Sequence, residues 1–371
     1  MSRPRAAERL GEAALSQLVT VGADSLTMEG IADRAGVSIG AAYRWQPSLD
    51  DAVLQAIGTR LPSMAQQIAE APWLHPWLQP QALGDRLLTE SLLAVRRFPA
   101  LTPLVERAVE SVQRGLQPLG AAVLVGSQAM MLAGCALSTQ DRRVLADLYQ
   151  RIRTTPFDGP LPWSTPDRAD FIAEVPSPHT ADLDQIGQGL INATARALAS
   201  STETSVRTIA ESAGVTTGAI YRRYQSKDQL VAETIRSHLT ADRTTWAVAF
   251  VARLAGTQAG DPAQILAEQL ALAGDRDAEQ TRLSIEFIVA SRMSPDARQV
   301  LVQRIEQAQH SRQTLFEAMR EAGIFTRPDT PRALSWALQV TPTGTRLLSL
   351  VSPKPSATAW QPAMAGLLRA L

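Results

Sequence analysis

Cysteine, histidine, lysine and aromatic residues are all scarce in this chain, and each shortage excludes something. Cys135 is the only cysteine in 371 residues, so no intramolecular disulfide can form; a lone thiol fits a reducing interior. His75, His179, His238 and His310 are widely scattered and show no metal-ligand spacing, so no metal site is expected. Aromatic residues make up 5% of the chain while Ala and Leu dominate, a mix that favours helix. Lysine occurs only at Lys227 and Lys354, leaving arginine to carry almost all of the positive charge. The formal net charge is zero. That balance says nothing against nucleic-acid binding, whose electrostatic footprint is local.

Motifs of chemistry are also missing. There is no nucleophile elbow, phosphate loop, zinc signature or dinucleotide fingerprint, so no catalytic residue, metal or cofactor is assigned and an enzyme is not expected. The N-terminus lacks an apolar signal-type core. Leu119 to Leu137 is uncharged and nearly long enough to span a bilayer, but Ser127, Gln128 and three glycines interrupt it. A buried helix of a cytoplasmic, non-membrane bundle is the expectation.

What is present is a repeat. IADRAGVSIGAAYRWQPSLDDAV, from Ile31 to Val53, aligns without a gap with IAESAGVTTGAIYRRYQSKDQLV, from Ile209 to Val231, at an offset of 178 residues. Each copy is preceded by an apolar helical pattern and followed by a long helical region. In the second copy Ser205 opens a short helix, Gly214 ends it and turns the chain, and Thr216 opens another. In the first, Thr27, Gly36 and Ser38 play the same parts. Polar side chains at helix starts accept orphan backbone N–H bonds, and glycine tolerates the left-handed turn after a helix end. Two short helices joined by such a turn form a helix-turn-helix, whose second helix enters the DNA major groove.

At these residues the chain resembles the tetracycline-repressor (TetR) family of transcription regulators. The second copy carries the pattern through Ile209, Ala210, Ala213, Gly214, Val215, Thr216, Gly218, Ile220, Tyr221, Tyr224, Ser226, Lys227 and Leu230. The first copy follows it to Tyr43 and then departs, with Gln46, Leu49 and Ala52 replacing an aromatic, a lysine and a leucine. The resemblance implies homodimer-like regulators with a DNA-binding head and a helical ligand-binding body.

The expected fold is therefore all-α: two tandem TetR-like units forming an intramolecular pseudo-dimer. Residues 1–60 would form head 1, 61–155 body 1, 156–182 a Pro-rich connector, 183–239 head 2 and 240–371 body 2. The expected partners are a double-stranded DNA operator, read as an imperfect palindrome, and a small-molecule effector. Further homodimerisation stays open.

Base reading should fall on Ile39, Ala41 and Arg44 in head 1 and on Thr217, Ala219 and Arg222 in head 2, since Arg pairs with guanine and Thr or Ala meets a thymine methyl. Tyr43 and Tyr221 either bond phosphate, as the resemblance implies, or pack within the head. Ser38, Thr216, Arg223 and Lys227 complete the DNA-binding set. From Ser205 to Lys227 the window carries +3, whereas its counterpart Thr27 to Leu49 carries zero. Counterion release then makes head 2 the stronger binder.

In the second body Phe250, Phe287, Phe316 and Trp336 either line an effector cavity or form core. Trp73, His75 and Trp77 form either a lid or a packed loop. The favoured function is a repressor released by its effector. The alternative is a helical sensor or protein-interaction module that has lost DNA binding, motivated by the departures in head 1.

Overall fold

The computed structural model describes residues 3–71, 78, 86–154, 183–200, 204–239, 278–321 and 327–352. The expected connector, the helices expected near Asp242–Ala255, Pro262–Ala273 and Thr358–Leu371, the segment around His75, and Phe250 lie outside them. The described residues are helical and contain no strand, so the chain is all-α with tandem helical units. In chain order the helices are α1 Arg3–Val21, α2 Met28–Ala35, α3 Ile39–Trp45, α4 Leu49–Glu70, α5 Leu87–Ala94, α6 Thr102–Leu132, α7 Thr139–Thr154, α8 Gln185–Ser200, α9 Val206–Ala213 and α10 Thr217–Tyr221. They continue with α11 over 227–239, α12 Ala278–Met293, α13 Pro295–Glu321 and α14 Thr330–Leu348.

By contacts the chain divides into two compact units. The first holds residues 1–128 and 343–354. Here α1 packs on α2, α4 and α5, burying Leu10, Ala14 and Leu18 at spacings of four residues, the helical period that lines one face. Arg97 fastens the segment after α5 to the turn after α1, donating to the carbonyls of Ala23 and Asp24 at 2.6 and 2.9 Å. Helix α4 runs through Pro62 without stopping. Leu61, Met64, Ala65 and Ile68 are buried on both sides of the proline, and this packing outweighs the lost backbone bond.

Helix α6 is broken at Gln117, which has φ 61° and ψ 166°. Pro118 explains the break, because a proline drives its predecessor out of helical geometry. A Cβ on Gly115 would stand 2.2 Å from the Ala69 carbonyl oxygen, so only glycine lets α6 cross α4 so closely. The uncharged run of α6 is buried through most of its length, and Thr89 donates to Gln128 within it at 2.7 Å. This is the packing of a core helix.

The second unit holds residues 129–342 and 355–371. Within it α8 packs on α9 and α12, α9 on α10, and α12 on α13. Helix α7, from the first half of the chain, joins α14, from the second. Asp141 accepts from Arg332 Nε at 2.6 Å and from the Trp336 indole N–H at 2.7 Å. Arg151 pairs with Asp329 at 3.2 Å. Asp141 is almost wholly buried, and burial alone would raise its pKa. The bonds from Arg332 and Ser138 outweigh that and hold the carboxyl below its ordinary value.

Candidate nucleic-acid interface

The two heads are built from the same local chemistry. In head 1, Thr27 Oγ1 accepts from Gly30 N and Ser38 Oγ accepts from Ala41 N. In head 2, Ser205 Oγ accepts from Thr208 N and Thr216 Oγ1 from Ala219 N. Each cap satisfies a donor that the first helical turn leaves orphaned. Between the paired helices Gly36 and Gly214 take left-handed backbone, with φ of 64° and 68°. Their N–H groups turn back on Asp33 and Glu211, and Val37 and Val215 close the motif on Ala32 and Ala210.

Each head buries the inner face of its recognition helix. In head 2 Leu190, Ile209, Ile220, Tyr224 and Leu230 form one cluster. Burying an isoleucine such as Ile209 contributes about 1.5–3 kcal/mol. In head 1, Ile31, Ala42, Val53 and Ile57 are buried.

The outer faces carry the expected DNA-reading residues. Ile39 is 44% exposed, Tyr43 50% and Tyr221 56%. Arg44, Thr217 and Arg222 are exposed, and Ala41 and Ala219 half-buried. Neither tyrosine is packed inside its head, so both phenols can reach a ligand. Ser38 and Thr216 accept their cap bonds through oxygen, which leaves each hydroxyl hydrogen able to donate outward.

The basic residues of head 2 are not all equally available. Arg223 donates to both carboxylate oxygens of Asp184, at 2.9 and 2.5 Å. That contact and the Gly187 N–H hold the Asp184 carboxyl below its ordinary value. Arg207 pairs with Glu211 one turn along α9, at 2.8 Å. Lys227 Nζ donates to the Thr204 carbonyl. Arg222 and Arg44 make no side-chain bond to any described residue. With Asp184 counted against the four cations Arg207, Arg222, Arg223 and Lys227, and Glu211 already counted, the head 2 patch carries +2 instead of +3. Sequence reasoning missed Asp184 because it lies a helix away, 39 residues before Arg223.

Head 1 departs from head 2 chiefly in its interior. Gln46 is buried where head 2 has Tyr224, and its amide bonds to Gln55 on α4. Ala52 is buried where head 2 has Leu230. Trp45 is half-buried.

The aromatics proposed for an effector cavity are otherwise engaged. Phe287 and Phe316 are buried, Phe287 lies against His238 with ring centres 6.2 Å apart, and Trp336 is bonded to Asp141. An open groove of about 520 Å³ is lined by Gly134, Pro295, Arg298 and Gln303 among others, and none of the three lines it.

No curated protein matches the chain. Two segments, residues 10–45 and 190–234, match the sequence model of a family described as bacterial regulatory proteins, tetR family. They lie within the two heads, and each spans the helix-turn-helix that the structure repeats.

Proposed function

We propose that the protein is a DNA-binding transcription regulator acting as a repressor, in which one chain supplies both halves of a pseudo-dimer. The observation that carries this reading is the repeated display of an exposed Tyr–Arg pair, Tyr43–Arg44 and Tyr221–Arg222, at the same register of two N-capped recognition helices. Tyrosine on phosphate positions a protein, and arginine on guanine specifies sequence. Head 2 is the stronger DNA binder, because it retains Lys227 and Arg207 where head 1 has Leu49 and Glu29. The operator is an imperfect palindrome. A small molecule held in a body releases the DNA by favouring a conformation whose heads no longer fit it, which requires different effector affinity in the two conformations. Asp141 of the first half is bonded to Arg332 and Trp336 of the second, which supports coupling within one chain.

Selection of genomic DNA fragments by the purified full-length chain tests the reading. Recovery of a two-part motif, lost on adding the effector suggested by neighbouring genes, is the expected result. A folded protein that retains no fragment even at low salt would instead be the helical sensor or interaction module that has lost DNA binding.

A further inference from the structure

The departures of head 1 from the repeat pattern read, in sequence, as decay of a DNA-binding head. Their placement says otherwise. Gln46 and Ala52 are 5% and 1% exposed, so neither can meet DNA, and only Leu49, half-buried where head 2 has Lys227, removes a group that could. Gln46 and Ala52 alter the interior, and Gln46 is satisfied there by Gln55. The reading face is preserved. Ser38 and Thr216 cap their helices with matching bonds, 3.2 Å in each head, which sets the two recognition helices in the same register. From that cap onward Gly40, Ala41, Tyr43 and Arg44 are repeated as Gly218, Ala219, Tyr221 and Arg222. Ala42 and Ile220 differ but are both fully buried. At the helix end Trp45, half-buried, stands against Arg223, exposed but held by Asp184. At the helix start the difference on the open face is Ile39 against Thr217.

We infer that head 1 still reads DNA, and that the two heads read half-sites sharing one arginine-contacted guanine but differing at the base pair that faces Ile39 in head 1 and Thr217 in head 2. The inference rests on the DNA-binding function proposed above. A lone exposed isoleucine is common on protein surfaces; what gives this one meaning is its place at the first position of a recognition helix whose Gly, Ala, Tyr and Arg positions match those of the other head. Isoleucine offers the major groove no hydrogen-bonding group. Its one favourable base contact is apolar, with the methyl of thymine. Threonine offers a methyl and a hydroxyl that donates or accepts, so it tolerates more than one base. Half-site 1 should therefore demand thymine at this position while half-site 2 is permissive. The operator's imperfection then includes this base pair and requires no failing half.

Selection from a random duplex pool at fixed salt, with the full-length chain, decides the matter. The wild type should enrich two half-sites, one of them preferring thymine about tenfold over other bases at one position. Ile39→Thr should abolish that preference and make the half-sites alike at that position. The reciprocal Thr217→Ile should impose it on the other half-site. Both positions are exposed, so neither exchange threatens folding, and circular dichroism checks this. A single enriched half-site, or a motif unmoved by Ile39→Thr, overturns the inference and leaves the DNA-binding reading standing. If the folded wild type enriches nothing, the DNA-binding reading itself fails and this inference falls with it.

Discussion

Where head 2 buries the phenol ring of Tyr224, head 1 buries the amide of Gln46. The exchange propagates inward. Head 2 packs Ile220 beside its tyrosine, while head 1 has only Ala42 at that position, so the interior of head 1 is smaller and more polar. Nine residues on in each copy, Gln55 accepts the Gln46 amide in head 1, and Glu233 stands at the same place in head 2. A second linked exchange sits at the helix starts. Lys227 reaches the Thr204 carbonyl in head 2, whereas the matching positions of head 1 are Leu49 and Leu26, and Leu26 is fully buried. Interior positions of the two copies have thus changed in linked pairs, while Gly40, Ala41, Tyr43 and Arg44 of the recognition helix recur as Gly218, Ala219, Tyr221 and Arg222. A motif match counts all these positions equally. Burial shows which of them could matter to a ligand.

The largest expected effect tests the interior directly. Tyr224→Gln should destabilise head 2 by about 3 kcal/mol, because it leaves a cavity among Leu190, Ile209 and Ile220 and buries an amide facing Glu233 instead of Gln55. Gln46→Tyr should cost head 1 about 1–3 kcal/mol by overpacking. Denaturant melts of the two variants measure both. If Tyr224→Gln is neutral, the two interiors are interchangeable and the coordinated-exchange reading fails.

The next effect falls on the faces. Arg222→Ala should weaken operator binding by about 1–3 kcal/mol and relax one position of the site. Arg44→Ala should do the same at the other half-site, with a smaller loss, since head 1 contributes less of the phosphate attraction. Fluorescence anisotropy on a labelled operator, repeated at two salt concentrations, separates base reading from charge. Equal losses would remove the proposed inequality between the heads.

The turns give a smaller and sharper contrast. Alanine at Gly36 or Gly214 forces a left-handed residue with a Cβ, at a cost of roughly 1–2 kcal/mol. At Gly214 the new methyl meets nothing within 4 Å, but at Gly36 it would stand 2.9 Å from the Arg9 guanidinium. Arg9 holds the Ala35 carbonyl that ends α2. Gly36→Ala should therefore lower the melting temperature more than Gly214→Ala, and the reverse order would show that Arg9 moves aside without loss.

Much of this was legible in the sequence because it depends on rules that act over a few residues. Thr27, Ser38, Ser205 and Thr216 cap the helices they were expected to open, and Gly36 and Gly214 make the expected left-handed turns. The uncharged run read from Leu119 begins just after the break at Gln117–Pro118. Pro62, just past the end expected for head 1 at residue 60, does not stop α4, because packing on both sides overrides it. What stayed hidden depends on chain-distant partners. Nothing near Arg223 in sequence announces Asp184, and nothing near Asp141 announces Arg332 and Trp336, 191 and 195 residues away. The effector site stayed hidden for a related reason: an aromatic at helical spacing reads the same whether it lines a cavity or, like Phe316, fills a core.

The smallest effect lies where α4 and α11, the helices that follow the recognition helices, leave the heads. Head 1 has the exposed Arg60 there; head 2 has His238, half-buried against Phe287 on α12. Burial holds the imidazole pKa below its ordinary value. The sign follows from linkage. The unfolded chain binds a proton near pH ~6.5 that the folded chain binds only at lower pH. Stability from the neutral ring is therefore fully present above that ordinary value and is lost as pH falls through the folded pKa. Melts of the wild type should show this loss on the acid side of neutrality. His238→Phe, which keeps a ring against Phe287 but cannot titrate, should flatten that part of the profile, whereas Arg60→Gln in head 1 should leave it unchanged. A wild-type curve that His238→Phe does not alter would mean that the acid sensitivity of the second unit comes from other groups.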